Sequence, residues 1–283
     1  YLNNVTAKKS KASVAPVIAA IFGLGRAGSI HLSSIIHNPR ITLKYIVDDR
    51  SEKFTDLKNY WKLGDDVACL TSKNAERVYK DKSVTTVFIS SPTYTHHDIV
   101  INSIANNKDV FCEKPIAETI QETKKCYEAA EAKGRVLFAA FNRRFDPAYR
   151  ALKERVRQGE VGHIQILKVT ARDSPLPSVD YLASSGMIKV ENERPAHSIE
   201  SYIGQDGIKL NPIYYSFPSR YKIAYQNELE HFLDVVQYGV PLHVTSWQTL
   251  AVSKIATAAE ESARTGKTIE LDWSKDDIPA DYS

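Results

Sequence analysis

Cysteine is scarce in this sequence. The three present (Cys69, Cys112 and Cys126) show neither Cys-x-x-Cys spacing nor an adjoining histidine cluster. A disulfide framework does not fit so few thiols, whereas buried, reduced thiols in a reducing cytoplasmic compartment do, and no metal-ligand set stands out. Charge of one sign is also lacking: 37 Lys and Arg against 34 Asp and Glu leave a net +3. That surplus is too slight to argue for nucleic acid or an anionic membrane as a partner. No apolar run reaches the roughly 18 residues of a transmembrane helix. Internal repeats and low-complexity tracts are missing, and the 15 tyrosines are scattered rather than arranged as a stacking platform. The opening Tyr1–Lys11 has no Met and is too polar for a secretory segment. It reads as a disordered leader or a truncated stump, with a transit peptide left open.

What is present is ordinary globular material, 43% hydrophobic and 25% charged over 283 residues. That length suits two domains or one large one. Val17–Phe22 is a short, continuous apolar run, as expected of a strand covered on both faces. The turn Gly23-Leu-Gly25-Arg26-Ala27-Gly28 follows, then a helix over Ser29–His37 stopped by Asn38-Pro39. Further strands are predicted at Ile41–Val47, Val67–Leu70, Val84–Ile89, Asp109–Cys112 and Val136–Ala140. Helices at Glu52–Lys62, Ala75–Lys80, Thr95–Asn106 and Glu118–Lys133 lie between them. Such alternation specifies an α/β fold with a doubly wound parallel sheet. Beyond Asn142 the regularity breaks. A helix at Pro147–Gln158, a strand at His163–Ala171, an irregular stretch at Asp173–Pro195 and helices at Arg220–Gln237 and Ser246–Arg264 follow. The expected division is a leader over 1–14, a dinucleotide-binding domain over 15–140 and a second α+β domain over 141–283, whose last helix has the option of packing back on the first.

Gly-x-Gly-x-x-Gly between a strand and a helix has a mechanism. Gly23 allows the tight turn, Gly25 lets the backbone approach a pyrophosphate, and Gly28 lets helix and strand pack closely. The helix amides and dipole then face the phosphates. Asp48, 20 residues beyond Gly28 at the end of the next strand, would accept from a ribose diol and repel a 2′-phosphate, with Asp49 beside it. NAD is thereby favoured over NADP, although Arg50 offers a guanidinium for a 2′-phosphate and keeps NADP open. Two more loops fall at carboxyl strand ends, where open α/β sheets bind ligands. One holds Ser91, Pro92, Thr93 and His96, the other Glu113-Lys114-Pro115.

Together with Asn142-Arg143-Arg144-Phe145-Asp146-Pro147 and Arg172–Pro177, these motifs resemble the Gfo/Idh/MocA oxidoreductases, inositol 2-dehydrogenase-like members in particular, from Val17 to Trp273. The resemblance implies NAD(P)-dependent oxidation of a sugar or cyclitol hydroxyl. It also implies a second domain whose mostly antiparallel sheet walls the substrate site and often forms a homo-oligomer interface. Lys114 would lie near the nicotinamide and the reacting carbinol as the catalytic residue, its basicity lowered by burial and neighbouring cations, with a cis bond to Pro115 aiming it. The sequence departs from the family after Gly186. Tyr181–Gly186 runs straight into Met187–Pro195, so a His-Asp acid/base helix and several strands are missing, and the second domain is expected to be truncated. His197 matches no catalytic position of the family. The alternatives are an impaired dinucleotide-binding protein, or another reductase of the family, of dihydrodiol or biliverdin type, with Tyr181 or Tyr202 as proton donor.

Overall fold

The computed structural model describes residues 14–160, 162–163, 201–202, 208–209 and 217–273. These residues fall into two compact units. The first combines residues up to Phe141 with those from Leu229 onward, and the second holds Asn142–Glu228.

The first unit is built on six parallel strands in the order β3-β2-β1-β4-β5-β6. They are β1 (Val17–Phe22), β2 (Ile41–Val47), β3 (Ala68–Leu70), β4 (Thr86–Ile89), β5 (Asp109–Glu113) and β6 (Leu137–Ala140). β4, β5 and β6 are buried at every residue, which is why Val87–Ile89, Val110–Cys112 and Leu137–Ala140 read as apolar runs rather than alternating ones. The order reverses direction between β1 and β4, and that switch point is where a doubly wound sheet opens its ligand crevice. The connections carry α1 (Arg26–Ile36), α2 (Phe54–Trp61), α3 (Glu76–Lys80), α4 (His96–Ala105) and α5 (Ile120–Lys133). The last of these starts on a Thr119/Glu122 capping box and ends at Gly134 in the left-handed conformation.

The second unit begins with α6 (Pro147–Arg157), capped by Asp146, whose carboxylate accepts from the Ala148 and Tyr149 amides. The other Asp146 oxygen takes Arg220 at 2.8 Å, from α7 (Phe217–Arg220). A two-stranded antiparallel pair, β7 (Ser201–Tyr202) with β8 (Ile208–Lys209), is what this unit shows of the expected antiparallel sheet among its described residues. The strand expected at His163–Ala171 lies outside the described residues apart from His163. So do residues 1–13 of the leader, Tyr181, the Gly186 junction and His197.

α8 (Lys222–Tyr238) and α9 (Ser246–Thr265) follow. From Leu229 onward the chain belongs with the Rossmann sheet, which extends to most of α8 the option that the sequence left to the last helix. The cause is aromatic. Phe232 packs edge-on against Phe88, Phe111 and Phe138 of β4, β5 and β6, with ring centroids 5.4–5.6 Å apart. Arg40, in the turn before β2, adds polar anchors: it donates to Glu230, Asp234 and Gln237 at 2.7–2.9 Å. α9 joins α5 through Tyr127, whose hydroxyl donates to Thr249. All three cysteines are free thiols; burial raises Cys112 well above the ordinary range and Cys126 to about 12, so neither is a ready nucleophile.

Candidate functional site

The carboxyl ends of β1 and β4 meet at the glycine turn. Gly23 has φ +83°, and its N–H donates to Val47 O at 2.8 Å, joining the turn to the end of β2. A Cβ on Gly23 would stand 2.5 Å from Ser91 Cα, so the turn and the loop after β4 touch backbone to backbone. A Cβ on Gly28 would lie 2.1 Å from the Gly23 carbonyl oxygen. Glycine is required at both places by the chain itself.

Gly25 is different. It begins α1 with ordinary φ −69°, its side-chain position meets nothing within 4 Å, and no side chain caps the helix it opens. Helices generally begin with amides that lack intrahelical acceptors. The first turn of α1 also has no acidic residue to offset the positive dipole end. Space and the positive dipole end of α1 thus coincide at the Gly25-Arg26-Ala27-Gly28 backbone, as an anionic ligand requires. Near them Ser90, at the head of the same loop, has a buried hydroxyl with no partner among the described residues.

The two acids after β2 divide their roles. Asp48 Oδ2 accepts from Leu24 N at 2.7 Å, and both its oxygens take the Arg50 guanidinium at 2.9 Å. Burial would raise its pKa, but the Arg50 side chain and the two backbone donors outweigh this and hold it at about 2. Asp48 is therefore a fixed carboxylate braced on the glycine turn, with Arg50 folded on it. Asp49, expected beside the ribose, instead accepts from the Ser72 amide at 2.8 Å and its hydroxyl at 3.0 Å, pinning the loop after β3. Adjacent positions leaving a strand face opposite ways, which separates the pair.

The loop after β4 is held by its own groups. Ser91 Oγ is 2.7 Å from Thr95 Oγ1, and the Pro92 carbonyl accepts from Thr95 twice as a 3₁₀ turn opens at Thr93. His96, only 1% exposed, sits with Nδ1 2.8 Å from Pro115 O and Nε2 2.8 Å from Ser91 O. Glu113 likewise turns inward: Oε1 lies 2.8 Å from Nε2 of the buried His31 on α1, and Oε2 accepts from Lys114 N. Burial pushes the Glu113 pKa up, but His31 and Lys114 prevail and its carboxyl is lowered overall. Neither His96 nor Glu113 presents its side chain freely to a ligand, so both serve the loops that a cofactor would meet.

Lys114 follows with a cis bond to Pro115. It is exposed rather than buried as expected, because the turn leaves β5 into solvent. No described side chain holds its ammonium. No motif marks His31, although its spacing from Gly28, Leu32 and Ile35 puts a polar residue on the buried face of α1. Among the described residues, no group of three or more metal-ligating side chains exists and no helix is long and apolar enough to cross a membrane.

Comparison with known proteins agrees with this geometry. Residues 17–141 match the model of the Gfo/Idh/MocA oxidoreductase family, described as an NAD-binding Rossmann fold. Myo-inositol 2-dehydrogenase of Thermotoga maritima is 34% identical over 168 residues, covering 59% of this chain and 49% of that protein. The chain spans about half the length of such curated relatives. Inositol 2-dehydrogenase of Rhizobium meliloti is 22% identical over 332 positions, covering 89% of this chain and 98% of the relative. Those 332 positions exceed the 283 residues available, so the relative contains internal residues without counterparts here. Among solved structures, scyllo-inositol dehydrogenase from Lactobacillus casei, with NAD(H) and scyllo-inositol bound, superposes with a TM-score of 0.68 at 18% identity, covering 87% of this chain and 96% of that one.

Proposed function

We propose that this chain, whose residues 17–141 match the model of the Gfo/Idh/MocA oxidoreductases, binds NAD(H) at the ends of β1 and β4 and serves the oxidation of a cyclitol or sugar hydroxyl. The observation that carries the reading is Gly25, a glycine whose missing side chain leaves room that the protein does not fill, at the uncapped start of α1. The Gly25–Gly28 backbone would hold the pyrophosphate, and Asp48 the adenosine ribose. Asp48, held as a carboxylate, would repel a 2′-phosphate, which supports NAD over NADP. The dinucleotide, when bound, supplies the hydride acceptor. Lys114 would hydrogen-bond the alcohol oxygen and help the transfer of its proton. The relatives named for inositol suggest the substrate class.

Calorimetric titration with NAD and NADP, followed by absorbance assays for NADH with a panel of inositols and sugars, tests this. Tight NAD binding with turnover of a cyclitol is the expected result; no heat with either dinucleotide rejects the reading. One observation favours a second reading, a binding protein with impaired chemistry: the relative has internal residues that this chain lacks. NAD binding without turnover of any polyol would select it.

A further inference from the structure

His31 and His96 are 2% and 1% exposed, so neither opens on the crevice, yet both grip the same turn. From α1, His31 Nε2 lies 2.8 Å from Glu113 Oε1, while the second carboxylate oxygen accepts from the Lys114 amide at 3.2 Å. From the start of α4, His96 Nδ1 lies 2.8 Å from the Pro115 carbonyl. The same ring reaches Ser91 O with Nε2, also at 2.8 Å, in the loop whose backbone abuts Gly23. A carbonyl oxygen can only accept, so in either tautomer the ring donates to one of these two loops, and when doubly protonated to both. Lys114 is thus the exposed middle of a turn anchored on each side by a buried imidazole. One anchor stands on the helix that would carry the pyrophosphate, the other on the helix that follows the β4 loop.

We propose that His31 and His96 are positioning residues, which fix Lys114 relative to the glycine turn and so set affinity for the nicotinamide end of the cofactor without touching it. The inference rests on the dinucleotide reading above and extends it to two side chains outside the crevice. A hydroxyl-binding lysine placed by a loop is only as well located as the contacts behind that loop. Ordinary scaffolding would predict a different outcome, since damage to α1 or α4 would weaken binding of every part of the ligand alike.

ADP-ribose separates the two cases, because it keeps the pyrophosphate and adenosine ribose but lacks nicotinamide. Affinities of ADP-ribose and NADH are measured by calorimetry on the full chain and on His31→Leu, His31→Gln, His96→Leu and His96→Gln. Both leucine variants should keep ADP-ribose affinity within about twofold and lose about tenfold for NADH, the size of one buried hydrogen bond. His31→Gln, which keeps a donor for Glu113, should recover most of the NADH affinity. Retained ADP-ribose binding also certifies that a variant folds, and the glutamine variants stand in for any leucine variant that does not. Equal weakening toward both ligands, or undiminished NADH binding in all four variants, overturns the inference alone. A parent chain that binds neither ligand overturns the cofactor reading and this inference with it.

Discussion

Two polar clusters of the Rossmann unit differ in what they leave unsatisfied. In the loop between α3 and β4, Asp81 accepts from Lys44 Nζ, Tyr45 Oη, and Ser83 through both its amide and its hydroxyl. Beside it the buried Lys108 ammonium donates to the Asp81 and Val84 carbonyls at 2.8 and 2.9 Å. Burial lowers the Lys108 pKa, and the carbonyl partners are what make its position tolerable. This cluster is closed on itself. At the ends of β1 and β4 the supply is incomplete: α1 has no side-chain cap, Ser90 Oγ has no partner among the described residues, and Gly25 faces unfilled space. The first arrangement is saturated from within the fold, whereas the second leaves groups that suit an anionic ligand. Density of polar groups does not distinguish them; unmet hydrogen-bonding capacity does.

The contrast breaks most visibly at Lys114. If the open cluster performs chemistry, Lys114→Met should lower turnover by roughly 10²–10⁴-fold while ADP-ribose affinity changes little, as steady-state rates and calorimetry would show. An unchanged rate would remove Lys114 from proton transfer. Next comes Gly25→Val, which places atoms where the chain has none. NAD affinity should drop about 100-fold, the equivalent of two tenfold steps of 1.4 kcal/mol, with urea stability altered by no more than about 0.5 kcal/mol.

Lys108→Met probes the closed cluster and should do the converse. Two carbonyls lose a buried donor, so stability should fall by about 1–3 kcal/mol in urea unfolding, with NAD affinity untouched in the fraction that remains folded. The smallest effect concerns acid. Asp48 titrates at about 2, below its ordinary value of 3.8, so its contribution to stability is complete above the ordinary value and fades as pH falls toward 2. Arg50→Ala should raise that pKa, and carboxyl-detected NMR titration of Asp48 would register the upward shift.

The sheet could be read in advance because β1, β4, β5 and β6 carry continuous apolar stretches and β2 is apolar apart from Thr42 and Lys44, with ends shifted by two positions at most. The start of α1 was less legible. Its cap is a glycine without a side-chain signal, so Arg26, Ala27 and Gly28 read as turn rather than first helical turn. The glycines, Asp48 and Lys114 announced themselves by spacing. The inward turn of Glu113 and His96 did not, since each partner lies far along the chain: His31 is 82 positions from Glu113, and Pro115 is 19 from His96. The attachment of the later helices to the first unit depends on Phe232 meeting rings from three strands, a coincidence of tertiary structure that no local pattern encodes.

The most direct measurement is an amide-resolved NMR titration of the full chain with NADH. The resonances of Leu24 to Ser29 should move together and saturate, while those of Asp81 to Val84 and Lys108 stay in place. Saturable shifts confined to other residues, with the Gly25–Gly28 amides unmoved, would contradict the assignment of the open cluster as the pyrophosphate site.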